Sequence, residues 1–191
     1  MPDMDFGFFG VNAGVMADPA TMVEAARTAE AAGWESIWTG EHLVAVSPQR
    51  PPSPVRPDTH FVDQVAALAH IAAHTTTLRL GTGIVILPQR NPVVLAKELA
   101  SIDVLSGGRL EAGFGVGYVP AEFDAVGVPF SERGARMDDH IDALRAMWRG
   151  DLEFEGPFTS WHGVEAHPRP VGPDGPRSEE HTSELQSHLN L

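Results

Sequence analysis

The sequence contains no cysteine, a single lysine and few basic residues overall. Without cysteine it can form neither a disulfide nor a thiolate metal site, which suits a reducing cytoplasm. Only 13 basic residues stand against 26 acidic ones, and the formal net charge of -13 disfavours nucleic acid and anionic membranes as partners. No apolar run has membrane-spanning length, and the start, MPDMDFGFFG, lacks the basic flank of a signal peptide. We therefore expect a soluble cytoplasmic protein.

Hydrophobic residues make up 42% of the chain, enough for one globular core, and they follow a repeated pattern. Four short β-rich runs occur, at residues 6–10, 36–40, 78–87 and 109–115. Each is followed by a segment with helical periodicity, at residues 19–32, 61–75, 92–106 and 132–149. Asp18 and Asn91 each precede a proline and are predicted N-caps, and Ser131 is the predicted N-cap of the fourth helix. The pattern predicts four strand–helix units.

The strand segments are apolar throughout rather than alternating, which is typical of a parallel sheet covered by helices. The helix faces expected to pack on this sheet carry Leu95, Leu99, Ile102 and Leu105 in the third unit and Met137, Ile141, Leu144 and Trp148 in the fourth. The opposite face of the sheet is expected to carry Phe6, Phe8, Ile84, Ile86 and Phe114. The residues alone indicate an α/β fold, either a doubly wound sheet or part of an eight-stranded barrel of roughly 250 residues. In both folds ligands bind at the carboxyl ends of the strands.

Three glycines end the fourth β-rich run, in GFGVGY. The dinucleotide fingerprint G-x-G-x-x-G needs its third glycine three residues after the second, but Tyr118 or Pro120 stands there in the two possible frames. The sequence therefore does not predict a dinucleotide loop. Gly113, Gly115 and Gly117 either make room for a ligand against the backbone or relieve crowding at a strand end.

Longer stretches resemble a known family. GEHL follows the second β-rich run, LRLGTGIVILPQRNPVVLAKELASIDVLSGGRLEAGFGVGY spans the third and fourth units, and AEFDAVGVPFSERGARMDD comes after them. Over residues 4–176 the chain resembles the luciferase-like monooxygenase superfamily, and within it the branch that uses the deazaflavin coenzyme F420. The resemblance implies a (β/α)8 TIM barrel, of which residues 1–177 would form the N-terminal half with about four β/α units.

The sequence changes character after residue 177. The last residues, SEEHTSELQSHLNL (178–191), resemble translated sequencing-adapter read-through and lack the apolar strand that the barrel needs next. We therefore expect a non-native tail, with a divergent C-terminal helix as the alternative. We also expect the chain by itself to be inactive.

The resemblance implies an oxidoreductase that transfers a hydride between coenzyme F420 and a small organic substrate, in a homodimeric parent protein. The alternatives are an FMN-dependent monooxygenase of the same superfamily and a non-catalytic fragment that sequesters flavin. The family implies coenzyme contacts from the backbone of Gly115, Val116, Gly117 and Tyr118. Some relatives carry an acidic residue at the position of Tyr118, so acid chemistry assigned there does not carry over to this chain.

The stretch LGTGIVI bears on the same site. The residues alone favour an ordinary trans peptide, with Gly83 as a simple kink at the strand end. The resemblance instead implies a cis peptide between Gly83 and Ile84, forming a bulge that supports one face of the coenzyme ring. Ile86, at the end of the same strand, is predicted to contact the coenzyme as well.

Glu41 and His42 directly follow the second strand, so their side chains are predicted to reach the barrel mouth. Imidazole exchanges protons near neutral pH, which suits a reaction that moves a hydride and a proton. The resemblance implies a catalytic His42 that faces the ring, and a Glu41 that touches the ring or orients the histidine. The alternative is a solvated pair at the start of a loop. Relatives that oxidise a sugar phosphate carry a tryptophan at the position of Val46, so that chemistry is not expected.

Other candidate sites are weaker. His70 and His74 have the i, i+4 spacing of metal ligands, but the chain offers no third ligand and we expect no metal. PPSPVRP (51–57) is compatible with a polyproline ligand, although stiffening of a loop at the substrate mouth is the preferred interpretation. Asp103 and Arg109 bracket the turn between the third helix and the fourth strand, and we expect them to be structural.

Overall fold

A computed structural model describes residues 5–173 and 175–177 of the chain, and it has four parallel strands in sequence order. The strands are β1 (Gly7–Phe9), β2 (Ser36–Thr39), β3 (Arg79–Ile86) and β4 (Leu110–Gly115). The helices are α1 (Pro19–Ala31), α2 (Gln64–Ala72), α3 (Pro92–Ser106), α4 (Pro120–Ala125) and α5 (Arg133–Arg149). A hairpin of β5 (Glu153–Glu155) and β6 (Ser160–His162) follows. The four predicted strand–helix units are confirmed, while α4 and the hairpin were not predicted.

Local capping explains where two of the helices begin. The Asp18 carboxylate accepts a hydrogen bond from the backbone N–H of Thr21 at 2.9 Å, and the Asn91 side chain caps α3 in the same way. The predicted cap at Ser131 is wrong. Ser131 lies in a 3₁₀ turn, and α5 begins at Arg133 after Glu132, whose side chain makes no capping bond.

One face of the sheet packs on the helices. Ile37, Leu80 and Leu110 are fully buried and belong to one cluster with Leu99 and Leu144. The predicted inward faces of α3 and α5 are buried at Leu95, Leu99, Ile102, Met137, Leu144 and Trp148 and half-buried at Ile141. Leu105 is a wrong prediction, because its side chain is 71% exposed. A period of 3.6 residues brings Ser106 rather than Leu105 back to the face of Leu95 and Ile102, and Ser106 is buried.

The opposite face of the sheet differs from the prediction in its aromatic residues. Phe6 and Phe8 both lie against Trp34, with ring centroids 6.5 and 6.3 Å away, and Phe8 packs on the helix-side core. Phe114 packs on the same core. Phe9 instead lies on the face away from the helices, next to Gly83. Successive side chains of a strand point to opposite faces, so placing Phe8 on the helix side places Phe9 on the other.

A bulge interrupts the pairing of β3 with β4. The register shifts between Thr82 and Val85, and the peptide between Gly83 and Ile84 is cis, as the family resemblance implies. The Thr82 hydroxyl donates to the Gly113 carbonyl at 2.9 Å and accepts from the Gly113 N–H at 2.8 Å. The side chain of Thr82 therefore takes over the backbone partners of Gly113 where the ladder is broken.

The three glycines of GFGVGY lie against this bulge. A Cβ atom at Gly113 would stand 2.4 Å from the Thr82 carbonyl oxygen, and one at Gly115 would stand 2.5 Å from the Ile84 side chain. Gly117 has a φ of +73°, and a Cβ there would meet Ile86. Crowding at the strand end therefore accounts for all three glycines, and contact with a coenzyme stays a prediction.

The segment that follows α5 packs on the core through its hairpin and then returns to the edge of the sheet at β4. The hairpin contributes Trp161, which is buried and stacks on Phe154 at 4.8 Å between ring centroids. The Arg177 carbonyl then accepts a hydrogen bond from the Ala112 N–H at 2.8 Å, beside β4. No helix within residues 5–173 is long and apolar enough to cross a membrane. The tail predicted to be non-native, residues 178–191, lies outside the described residues.

Candidate functional site

A cavity of about 830 Å³ opens at the carboxyl ends of the four strands. Its volume falls within the range of small-molecule and cofactor sites. All the residues predicted for the coenzyme site line it: Glu41, His42, Gly83, Ile84, Ile86, Gly115, Val116, Gly117 and Tyr118. Val55, from the proline-rich loop, lines it too, so this loop helps to form the cavity wall. The structure thus brings four separate segments of the sequence to one place.

His42 is paired with a residue that the sequence did not single out. Its Nδ1 atom lies 2.6 Å from Oε1 of Glu122, which is on α4. The side chain of Glu122 is 2% exposed and that of His42 is 14% exposed, so the pair is shielded from bulk water. The rings of His42 and Phe61 also meet edge to face, with centroids 5.4 Å apart. The only sequence signal for Glu122 is an acidic residue beside Phe123 in AEFDAVG, which does not reveal burial.

The Glu41 carboxylate bonds to the end of β3 and to Arg90 rather than to His42. One carboxylate oxygen accepts the backbone N–H of Ile86, and the other forms an ion pair with Arg90. Arg90 in turn bonds Asp63 at 2.9 Å. Burial opposes the charge of Arg90, but the two carboxylates outweigh it and raise the arginine pKa above its usual value. Glu41 therefore connects the loop after β2 to the end of β3, and the carboxylate that contacts His42 is that of Glu122 rather than Glu41.

Two further side chains give the cavity polar character. Burial raises the pKa of Tyr118, and the negative charge of Glu122 adds to this effect, so the phenol stays protonated at neutral pH and can donate a hydrogen bond. Arg133 also lines the cavity, with its guanidinium 4.0 Å from the centroid of the Phe130 ring and one N–H bonded to the Phe130 carbonyl. Arg133 could not be recognised from the sequence, because neither of the two arginines in SERGARM stands in a distinguishing pattern.

The histidines at the other end of the molecule form no such site. His70 and His74 meet edge to face at 4.8 Å between ring centroids, and the His74 Nδ1 atom bonds the His70 carbonyl. Within residues 5–173 and 175–177 no three metal-ligating side chains cluster together. Asp103 and Arg109 are structural, as predicted: Asp103 accepts the Val171 N–H at 2.7 Å, and Arg109 bonds backbone carbonyls.

Similar proteins share this architecture. The family described as luciferase-like monooxygenase matches residues 4–176. A flavin-dependent trigonelline monooxygenase, oxygenase component, of Acinetobacter baylyi is 32% identical over 157 residues, covering 81% of this chain and 41% of that protein. The crystal structure of monooxygenase RslO1 from Streptomyces bottropensis superposes with a TM-score of 0.74 at 31% identity, over 92% of this chain and 52% of the other.

A third relative shares the fold at lower identity. An F420-dependent secondary alcohol dehydrogenase, solved with an F420–acetone adduct, superposes with a TM-score of 0.73 at 18% identity, over 89% of this chain and 50% of that one. The chain spans about half the length of these relatives. Its parallel β/α units match the luciferase-like TIM barrel, so the predicted barrel fold is confirmed and the doubly wound sheet is excluded. The chain belongs to the luciferase-like monooxygenase family.

Proposed function

We propose that the protein acts as an oxidoreductase that transfers a hydride between coenzyme F420 and a small organic substrate. The observation that carries this proposal is the His42–Glu122 pair, which stands at the wall of a largely apolar cavity at the strand ends. Such a cavity has the size for a planar ring system, and the pair provides an acid–base group beside it. F420 would supply two-electron hydride transfer, because a deazaflavin lacks the ring nitrogen that makes reduced flavins reactive toward oxygen.

The lining residues have separate tasks in this proposal. Ile84 and Ile86 offer an apolar surface for one face of the ring, and the backbone from Gly115 to Tyr118 runs along the cavity edge. Arg133 is a cation at the cavity wall, suited to a phosphate of the coenzyme. His42 exchanges a proton with the substrate as the hydride moves.

FMN is the alternative coenzyme, and a specific observation favours it. The trigonelline monooxygenase relative, at 32% identity, is described as flavin-dependent. Reduced FMN would support oxygen insertion rather than hydride transfer to an organic substrate. The lining residues suit both ring systems, since each coenzyme presents a planar tricyclic ring and a phosphate.

Fluorescence titration with both coenzymes tests the proposal, on the chain of 191 residues and on a chain extended through the remaining half of the barrel. We expect the extended chain to bind F420 more tightly than FMN. A clear preference for FMN would move the assignment to the oxygen-using enzymes of the family. Binding of neither coenzyme by the extended chain would support a non-catalytic protein.

A variant locates the site in the same assay. Arg133→Gln should weaken the binding of F420 and FMN alike, because both carry a phosphate. Arg149→Gln is the matched control, since Arg149 is exposed, pairs with Asp151 and does not line the cavity. Equal affinities for the Arg133 and Arg149 variants would remove Arg133 from the coenzyme site.

A further inference from the structure

We propose that Glu122 is a positioning residue that holds neutral His42 in the tautomer with its proton on Nδ1, leaving the Nε2 lone pair for the substrate. The two side chains meet at 2.6 Å between Nδ1 of His42 and Oε1 of Glu122. A carboxylate can only accept hydrogen bonds, so the proton of this contact belongs to the imidazole. The free imidazole side chain favours the opposite tautomer, with the proton on Nε2.

The other ring nitrogen is available to a ligand. No residue in the described part of the chain bonds the His42 Nε2 atom, and His42 lines the cavity. Phe61 meets the ring edge to face, which limits rotation of the imidazole away from Glu122. In neutral histidine the nitrogen without a proton is a hydrogen-bond acceptor and a base. The contact with Glu122 therefore determines which nitrogen can take a proton.

Only one oxygen of the buried Glu122 carboxylate has a hydrogen-bond partner among the described residues. Its Oε2 atom is buried and has no hydrogen-bond partner among the described residues. A buried carboxylate without a full set of partners is costly, and its burial calls for an explanation. Glu30 is the contrasting case: its carboxylate accepts three backbone N–H groups and thereby joins two segments of the fold.

The consequence for the reaction rests on the proposed function. A hydroxyl-bearing substrate carbon would give its hydride, with two electrons, to the bound coenzyme, and Nε2 of His42 would take the hydroxyl proton. In the reducing direction the carbon would gain the hydride, and Nε2 would return its proton to the carbonyl oxygen. In both directions Nδ1 keeps its proton, which stays bonded to Glu122, and the imidazolium that forms lies beside a carboxylate.

Magic-angle-spinning ¹⁵N NMR of the histidine-labelled chain tests the proposal, at a pH where the imidazoles are neutral. The method needs neither coenzyme nor a monodisperse sample. Loss of a signal in His42→Asn identifies His42. We expect a pyrrole-type shift for Nδ1 and a pyridine-type shift for Nε2. Glu122→Leu should move the proton to Nε2, whereas Glu122→Gln, which keeps an acceptor oxygen, should retain it on Nδ1.

His140 is the internal control. It is 3% exposed, and its Nδ1 atom lies 3.2 Å from the carbonyl oxygen of Leu87, so its ring bonds the backbone rather than Glu122. Its signals should be the same in all the variants, which also reports that they are folded. A wild-type His42 protonated on Nε2 would overturn the proposal, whatever the variants do. So would a His42 tautomer that is unchanged in Glu122→Leu while His140 is native. These spectra are independent of the coenzyme titration, so the tautomer and the proposed function can fail separately.

Discussion

Arg109 at the amino end of β4 and His42 beyond the carboxyl end of β2 show how differently the two ends of the sheet use polar side chains. Arg109 directs its five N–H donors to the carbonyls of Ala72, Thr75, Leu78 and Ser106 and to the Thr75 hydroxyl. An arginine has no further donors to give. Its hydrogen-bonding capacity is thus used up within the fold.

Glu30 is a second polar side chain that bonds within the fold at the amino end. One of its oxygens accepts the backbone N–H groups of Thr76, Thr77 and Leu78, at 2.7, 2.6 and 3.0 Å. Burial raises the pKa of Glu30, but these N–H donors outweigh it and lower the pKa to about 2. The carboxylate therefore joins the end of α1 to the turn before β3.

At the carboxyl end, His42 and Glu122 retain unused hydrogen-bonding atoms. The Nε2 atom of His42 and the Oε2 atom of Glu122 have no partner among the described residues, although Glu122 is buried. This difference in hydrogen-bonding separates groups that stabilise the fold from groups that can bind a ligand. Polar groups whose hydrogen bonds are all made within the chain stabilise the fold. Polar groups beside a cavity that have unused hydrogen-bond donors or acceptors are suited to binding a ligand. Substitutions at the two ends should therefore have their largest effects on different measurements.

The largest effect is expected on activity. In the extended protein, His42→Ala should lower kcat by about 10²-fold or more, the usual size of a lost acid–base group, together with a smaller loss in the free energy of unfolding because buried Glu122 loses its partner. His70→Ala is the matched control, because His70 lies on α2 away from the cavity. Steady-state kinetics and urea unfolding measure the two quantities. Equal losses of kcat in the two variants would remove His42 from a catalytic role.

The next effect is expected on stability. Arg109→Leu should lower the free energy of unfolding by about 2 kcal/mol, since carbonyls that bonded a charged donor lose their partner. Arg109→Lys should recover only part of this, because an ammonium has three donors and cannot span the same set. Urea denaturation of both variants measures the difference. A lysine variant as stable as the wild type would show that the planar arrangement of the five guanidinium donors is unimportant.

The smallest effect is expected on the pH dependence of stability. The pKa of Glu30 is about 2 in the folded chain against an ordinary value of 4.5, so its contribution is complete above pH 4.5 and is lost as the pH falls toward 2. In Glu30→Gln the fall in urea midpoint across this window should be shallower. Glu24→Gln, on the exposed side of the same helix, should keep the wild-type slope. Identical slopes in both variants would contradict the role of Glu30.

The site could be predicted in part. His42 comes shortly after β2, and the glycines lie at and beyond the end of β4. The carboxyl ends of parallel strands meet at one edge of the sheet, so these residues could be placed together from the sequence. Glu122 could not be found in this way, because it is 80 residues from His42 and lies on α4, a short helix that was not predicted. Glu41 was singled out for the right cavity, but its partners Ile86 and Arg90 are 45 and 49 residues away. Such contacts depend on the packing of distant segments.

The sequence by itself determined the features that arise between near neighbours. Asp18 and Asn91 cap their helices through N–H groups two or three residues away, and the repeat of apolar strands and amphipathic helices sets the parallel α/β order. Tertiary structure decided which face each side chain of β1 and β4 occupies, why the glycines at and beyond the end of β4 are needed, and which carboxylate contacts His42. The physical reason is range: caps and periodicity depend on a few residues of backbone, whereas burial and pairing across the cavity depend on atoms that come together only when the units pack.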